Sequence, residues 1–307
     1  MMPDFLKRSL HLAGGALGAL GVLFVAIKLV EYGDQIELSK FGTGALFALF
    51  GLAVVYGAAS LLLGFAWRDL LNHLGIYTDP RWAVRTYGIS QLAKYVPGNI
   101  FYLAGRQAIG VAAGLPAWPL AKSALWELGI ISITGSLFAL LVLPFLVKEI
   151  TGSLALIIFL ISVLACGCIA YRWFSFWVAR ALSRYTVFLA LSGAIFASIV
   201  YLVVPAGSAI TSVVPEICGA YVVAWLAGLV TPGAPAGAGV RELVLFTILH
   251  PIVGQADLLA AIVLGRIATV VGDIVYYLLA IGIRQKAVSA NADGLKSGIQ
   301  DNDPIKR

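Results

Sequence analysis

The side chains that could do chemistry in this chain are ionisable groups set in or beside long apolar runs: Lys28, Lys94, Arg106, Lys122, Glu127, Glu216, Arg241, Glu242, Arg266 and Asp273. An ionised group at the centre of a bilayer costs roughly 2.5 to 3.5 kcal/mol on insertion scales, so each of these positions asks for a reason. Lys28 lies near a run's end, where its long stem can snorkel to the interface, and Glu216 reads as extracellular. Arg106 and Arg241 are more informative. Arg106 follows Pro97 by nine residues, and Arg241 follows Pro232 by nine. A planar guanidinium with five donors suits bidentate contact with a phosphate, and the free amides at broken helix ends add to the attraction. The plain structural reading is that each arginine ties its segment to an acidic neighbour such as Glu127 or Asp273, since charges inside membranes usually pair. Arg266 and Asp273, seven apart, fall on one face of a helix. Asp273, Glu127 and Glu242 could balance the arginines, hold a cationic headgroup or bind a proton. Tyr95, Tyr102 and Trp126 are candidates to line the same cavity, against the ordinary reading of aromatics as packing.

Other chemistries find no support. Cys166, Cys168 and Cys218 fall in apolar stretches, where a thiol is normally a packing residue. His11, His73 and His250 lack metal-ligand spacing, so no metal site is expected. No nucleophile elbow or phosphate-binding loop is present, and no cofactor is implied. Without a nucleotide site, any transport would run on a gradient, on a downhill headgroup, or undriven.

The elements that must position these groups are membrane helices. Hydrophobic residues make up 61% of the 307 and charged residues 12%, about half the charged share of a soluble domain. Runs at 12–30, 44–67, 117–147, 153–171, 187–206 and 256–283 each approach or exceed the roughly 20 apolar residues that cross a bilayer. The fold class expected is an all-α polytopic membrane protein of about six full transmembrane helices. Lys7 and Arg8 precede the first run as in a signal peptide, but no small-residue cleavage site follows, so it is read as a span. With a cytoplasmic N-terminus, Lys28, Lys122 and Arg266 fall inside spans, Lys40, Lys148 and Arg241 outside, and the other fifteen of the 21 basic residues inside the cell. That is the sign of the positive-inside rule, and it puts both termini in the cytoplasm. The localisation expected is a bacterial or archaeal cytoplasmic (inner) membrane. Trp67, Trp82, Trp118, Trp173 and Trp177 read as an interfacial belt. The basic residues form no single patch, which argues against nucleic acid.

Spans beginning at 12, 44 and 117 are repeated at 153, 187 and 256, and Pro97-Gly98 is repeated at Pro232-Gly233. These offsets suggest a duplication: residues 1–147 as a first repeat, 148–283 as a second, and 284–307 as a polar cytoplasmic tail. Three spans per repeat is odd, so the second copy would run inverted, as in secondary transporters with broken helices near the midplane. Residues 80–112 read as a re-entrant hairpin from the cytoplasm and 210–250 as one from outside. Asp79-Pro80 supplies a helix start, and Pro97, Gly98, Pro232, Gly233 and Gly239 supply turns. Such irregular backbone must be buried or line a wet cavity. The alternative for the second segment is a full span over 210–230, followed by a loop and a surface helix over 231–255.

Gln91-Leu92-Ala93-Lys94-Tyr95-Val96-Pro97-Gly98-Asn99, with Gly105-Arg106 after it, resembles a recurring motif in the membrane region of lysylphosphatidylglycerol synthases and their stand-alone relatives. The run from Pro232 to Glu242 is similar to that family's second motif, and Gly265-Arg266 with Gly272-Asp273 to its last helix. The resemblance covers nearly the whole chain. It implies a lipid flippase, with Arg106, Arg241, Glu242, Arg266 and Asp273 as the first residues at stake. A departure from the family is expected in the lack of a soluble aminoacyltransferase domain, since only 23 residues, mostly polar, follow position 284. That shifts the expected substrate from the lysyl lipid toward a polyprenyl-phosphate-linked sugar or another anionic phospholipid such as phosphatidylglycerol. Two other readings stand beside it: a membrane-embedded transferase or phosphatase acting on a lipid phosphate, and a non-catalytic partner of a glycosyltransferase. A lipid synthase partner and homo-oligomer formation are also compatible with the sequence.

Overall fold

The structure is a computed structural model that describes residues 42–96, 100–205, 209–231 and 235–284. Every element among the described residues is helical. In chain order these are α1 (Thr43–Ala59), α2 (Leu61–His73), α3 (Pro80–Gln91), a 3₁₀ turn (Leu92–Tyr95), α4 (Phe101–Ala112) and α5 (Ala117–Leu137). After a 3₁₀ turn (Phe138–Val142) come α6 (Leu143–Leu146), α7 (Gly152–Trp173), α8 (Phe176–Val203), a 3₁₀ turn (Ala209–Val213) and α9 (Val214–Val230). A short turn (Pro235–Gly237), α10 (Val240–Leu249) and α11 (Gln255–Gly282) complete the described chain.

Six helical stretches are long and apolar enough to cross a membrane: Thr43–His73, Ala117–Leu146, Gly152–Trp173, Phe176–Val203, Ile210–Val230 and Gln255–Gly282. The chain is thus read as an integral membrane protein. Five of these stretches contain or closely match spans expected from the apolar runs; the run at 12–30 lies outside the described residues, as do Lys28, Pro97, Gly98, Pro232 and Gly233. Two differences have physical causes. Helix α8 starts at Phe176, well before the run at 187, because Arg180 and Arg184 interrupt its hydrophobicity while both pair with the fully buried Asp69 on α2. The segment 210–250 has unequal arms: Ile210–Val230 is long enough to cross alone, whereas α10 has ten residues. In the first half, α3 and α4 have twelve residues each, about 18 Å at 1.5 Å per residue, and pack against one another.

Helix α3 begins where its sequence indicates, with Asp79 Oδ1 accepting from the amides of Arg81 at 2.7 Å and Trp82 at 3.2 Å, and Pro80 at the first helical position. Helix α8 is the central post, packed against α1, α2, α5, α7, α9 and α11. Helices α1 and α11 cross on glycines. A Cβ on Gly57 would lie 2.7 Å from the Gly272 carbonyl oxygen, and one on Gly272 would lie 2.7 Å from that of Ala53. Small residues allow such close approach between membrane helices.

The tryptophan belt needs correcting. Trp67 and Trp82 are core residues, 0% and 3% exposed and stacked at 5.7 Å, and the Trp67 indole donates to Ser123 Oγ at 3.0 Å. Trp118 and Trp173 are exposed, as interfacial residues would be. Composition alone does not separate the two environments, because an indole can place its N–H in water or on a buried hydroxyl.

Candidate functional site

The two irregular segments meet. The turn Leu92–Tyr95 touches the turn Pro235–Gly237, and Leu92 and Tyr95 pack with Val270 of α11 and Ala236. Beside this junction lies a cavity in which the centres of water-sized molecules can occupy about 80 Å³, enough for several. Lys94, Tyr95, Tyr102, Glu127, Arg241, Arg266 and Asp273 all line it, so most of the residues singled out in the sequence converge on one space. Glu242 lines a smaller neighbouring space shared with Arg241 and Arg266.

Each charge has a specific environment. Asp273, fully buried on α11, accepts from Lys94 Nζ at 2.9 Å (Oδ1) and from the Tyr95 hydroxyl at 2.5 Å (Oδ2). The first half's irregular turn is thereby fixed to the last helix. Glu127 on α5 receives both terminal nitrogens of Arg106 and, at 2.7 Å, the Tyr87 hydroxyl. Arg106 is 0% exposed and packs against the rings of Tyr87 at 4.3 Å and Trp67 at 5.0 Å. It stands behind Glu127 and does not line the cavity, so the expectation of direct phosphate contact by both arginines is corrected for Arg106. The plain reading, an arginine tying its segment to an acidic neighbour, describes it.

Arg266 is likewise a clamp. Its Nε pairs with Glu242, and its two terminal nitrogens donate to the carbonyls of Ala236 at 3.0 Å and Gly237 at 3.2 Å. These bonds hold a turn in which Ala236 (φ 48°), Gly237 (φ 70°) and Gly239 (φ 87°) are all left-handed. For alanine that conformation costs roughly 1 to 2 kcal/mol, which the clamped carbonyls offset. Gly239, expected as a turn residue, is the N-cap of α10, and its amide donates to Glu242 Oε2 at 2.6 Å.

Arg241 differs from the other arginines of the site. It is 6% exposed, lies 4.4 Å over the Tyr221 ring, and faces no carboxylate partner among the described residues. Counting Lys94, Arg106, Arg241 and Arg266 against Glu127, Glu242 and Asp273 leaves one uncompensated positive charge, and the geometry assigns it to Arg241. An unpaired guanidinium facing an enclosed space is a ready site for an anion.

Trp126, expected at the cavity, instead packs between His73 at 5.0 Å and Phe174 at 5.3 Å. Glu216 is buried against Gly152 rather than standing free at the surface. Lys122 is exposed and lies over Trp118. Sequence reasoning missed Tyr56, Tyr87, Gln91 and Trp225, all of which line the cavity. The spacing of Tyr87, Gln91, Lys94 and Tyr95, on one side of a helix, carries a signal for some of these. Comparison with known proteins gives no match among family models, curated sequences or solved structures.

Proposed function

We propose that this chain is a lipid transporter of the flippase type, moving an anionic lipid between leaflets by passing its phosphate through the cavity while its tail stays in the bilayer. The observation that carries the reading is Arg241: a buried guanidinium without a carboxylate partner among the described residues, lining a cavity among helices long enough to cross a membrane. A fixed cation in low dielectric costs free energy until a counter-ion arrives, so the site favours an anion that enters and leaves. In this reading α3–α4 and α9–α10 are opposed re-entrant segments of an inverted repeat, both termini are cytoplasmic, and the chain is a relative of the lysylphosphatidylglycerol synthase membrane region. A polyprenyl-phosphate-linked sugar or a phosphatidylglycerol is the substrate.

The test is leaflet translocation of labelled lipids in liposomes containing purified protein. Arg241-dependent movement of an anionic lipid supports the proposal. Chemical conversion of the lipid without movement would replace it with a membrane-embedded enzyme.

A further inference from the structure

We infer that the cavity selects a lipid whose phosphate carries one negative charge and whose headgroup is uncharged and hydroxyl-bearing, and that Tyr56 and Gln91 read that headgroup. This rests on the anion-site reading above and names the substrate class.

All three carboxylates of the site are engaged: Asp273 by Lys94 and Tyr95, Glu127 by Arg106 and Tyr87, Glu242 by Arg266 and the Gly239 amide. An aminoacylated or other cationic headgroup finds no free carboxylate in the cavity wall among the described residues, and its ammonium would sit beside Arg241 and Lys94. A phosphodiester anion neutralises the one uncompensated charge. A diphosphate would replace that positive excess by a negative one in a medium where unpaired charge is costly.

Tyr56 and Gln91 are 2% and 7% exposed, both line the cavity, and neither side chain has a hydrogen-bond partner among the described residues. Their polar atoms open onto the cavity and no protein group among the described residues engages them, so a ligand's polar atoms entering that space would meet two free hydrogen-bonding groups. The Tyr102 hydroxyl and the Trp225 indole N–H, in the same wall, are also without partners among the described residues. A phenol and a carboxamide each donate and accept, which matches hydroxyl groups, themselves both donor and acceptor. Glycerol and sugar headgroups share this chemistry.

The experiment measures binding of defined lipids to the full chain in detergent, by native mass spectrometry. Phosphatidylglycerol and phosphatidylethanol share the singly charged phosphodiester, but only the former has free headgroup hydroxyls. Wild-type protein is expected to prefer phosphatidylglycerol by about tenfold, and to bind lysylphosphatidylglycerol and a polyprenyl diphosphate at least about tenfold more weakly. Tyr56→Phe combined with Gln91→Leu should erase the preference while keeping the affinity for phosphatidylethanol, which also shows that the double variant is folded. Arg241→Gln should lose both lipids alike. A polyprenyl-phosphate hexose is the second arm, and whichever of the two hydroxyl-bearing lipids binds more tightly identifies the source of the headgroup. Equal binding of phosphatidylglycerol, phosphatidylethanol and the lysyl lipid, all dependent on Arg241, overturns this inference and leaves the anion site standing. Binding that ignores Arg241 overturns both.

Discussion

Lys94 and Asp273, 179 residues apart, form an ion pair with Nζ 2.9 Å from Oδ1 and 2.8 Å from Oδ2. The pair joins the irregular turn of the first half to the last helix, and it sits at the wall of the cavity. Breaking a buried pair from one side strands the other charge, at a cost of about 3 to 5 kcal/mol. Asp273→Ala should therefore lower the melting temperature in detergent sharply. Lys94→Met with Asp273→Leu should melt above Asp273→Ala alone, because neither charge is left behind. A wild-type melt for Asp273→Ala would show that the tie contributes nothing.

Arg106 and Arg241 occupy matching places in the sequence but should fail differently. Arg106→Ala strands Glu127 in the core and is expected to destabilise by about 3 to 5 kcal/mol, and Arg106→Lys, which lacks the planar fork, should rescue it only in part. Arg241→Ala removes an uncompensated charge and should melt at or above wild type. Parallel thermal unfolding of the purified variants checks the contrast, and equal losses would contradict the roles assigned here.

The crossing of α1 and α11 depends on two glycines. Gly57→Ala or Gly272→Ala places a methyl group 2.7 Å from a backbone oxygen, and overpacking of this kind typically costs about 1 to 3 kcal/mol. Gly167→Ala in α7, where a Cβ meets nothing within 4 Å, should leave the melt unchanged or raise it. Equal melts for Gly272→Ala and Gly167→Ala would mean that the helices separate without penalty.

Asp69 is fully buried and accepts from both Arg180 and Arg184, which binds α2 to α8. Asp69→Ala leaves two guanidiniums without their anion, whereas Arg180→Ala leaves Arg184 in place. The first substitution should lower the melting temperature by clearly more than the second; the reverse order would argue against Asp69 as the hub.

Five of the expected span positions and most of the charged cavity wall were legible in the sequence, for a physical reason: long apolar runs and the few charges inside them are both costly to misplace. Arg241, Asp273 and Lys94 could be singled out by that cost alone. The division of labour among the arginines was not legible, since Arg106 and Arg241 share residue type and spacing from a Pro-Gly pair. Only the fold shows that Glu127 meets one of them and that no carboxylate among the described residues meets the other. Tyr56 and Gln91 were hidden because a tyrosine in an apolar run and a glutamine on a short helix look like packing and surface until the cavity brings them together. The start of α8 was obscured by Arg180 and Arg184, whose counter-ion lies more than a hundred residues away.

The most direct test of the central claim is the rate at which labelled phosphatidylglycerol and a polyprenyl-phosphate hexose change leaflets in liposomes holding wild-type protein or Arg241→Gln. At least one of these lipids is expected to move with wild type and to stop moving with the variant, with the variant's melting temperature preserved. Equal rates for wild type and Arg241→Gln, or no movement of either lipid with folded wild-type protein, would contradict it.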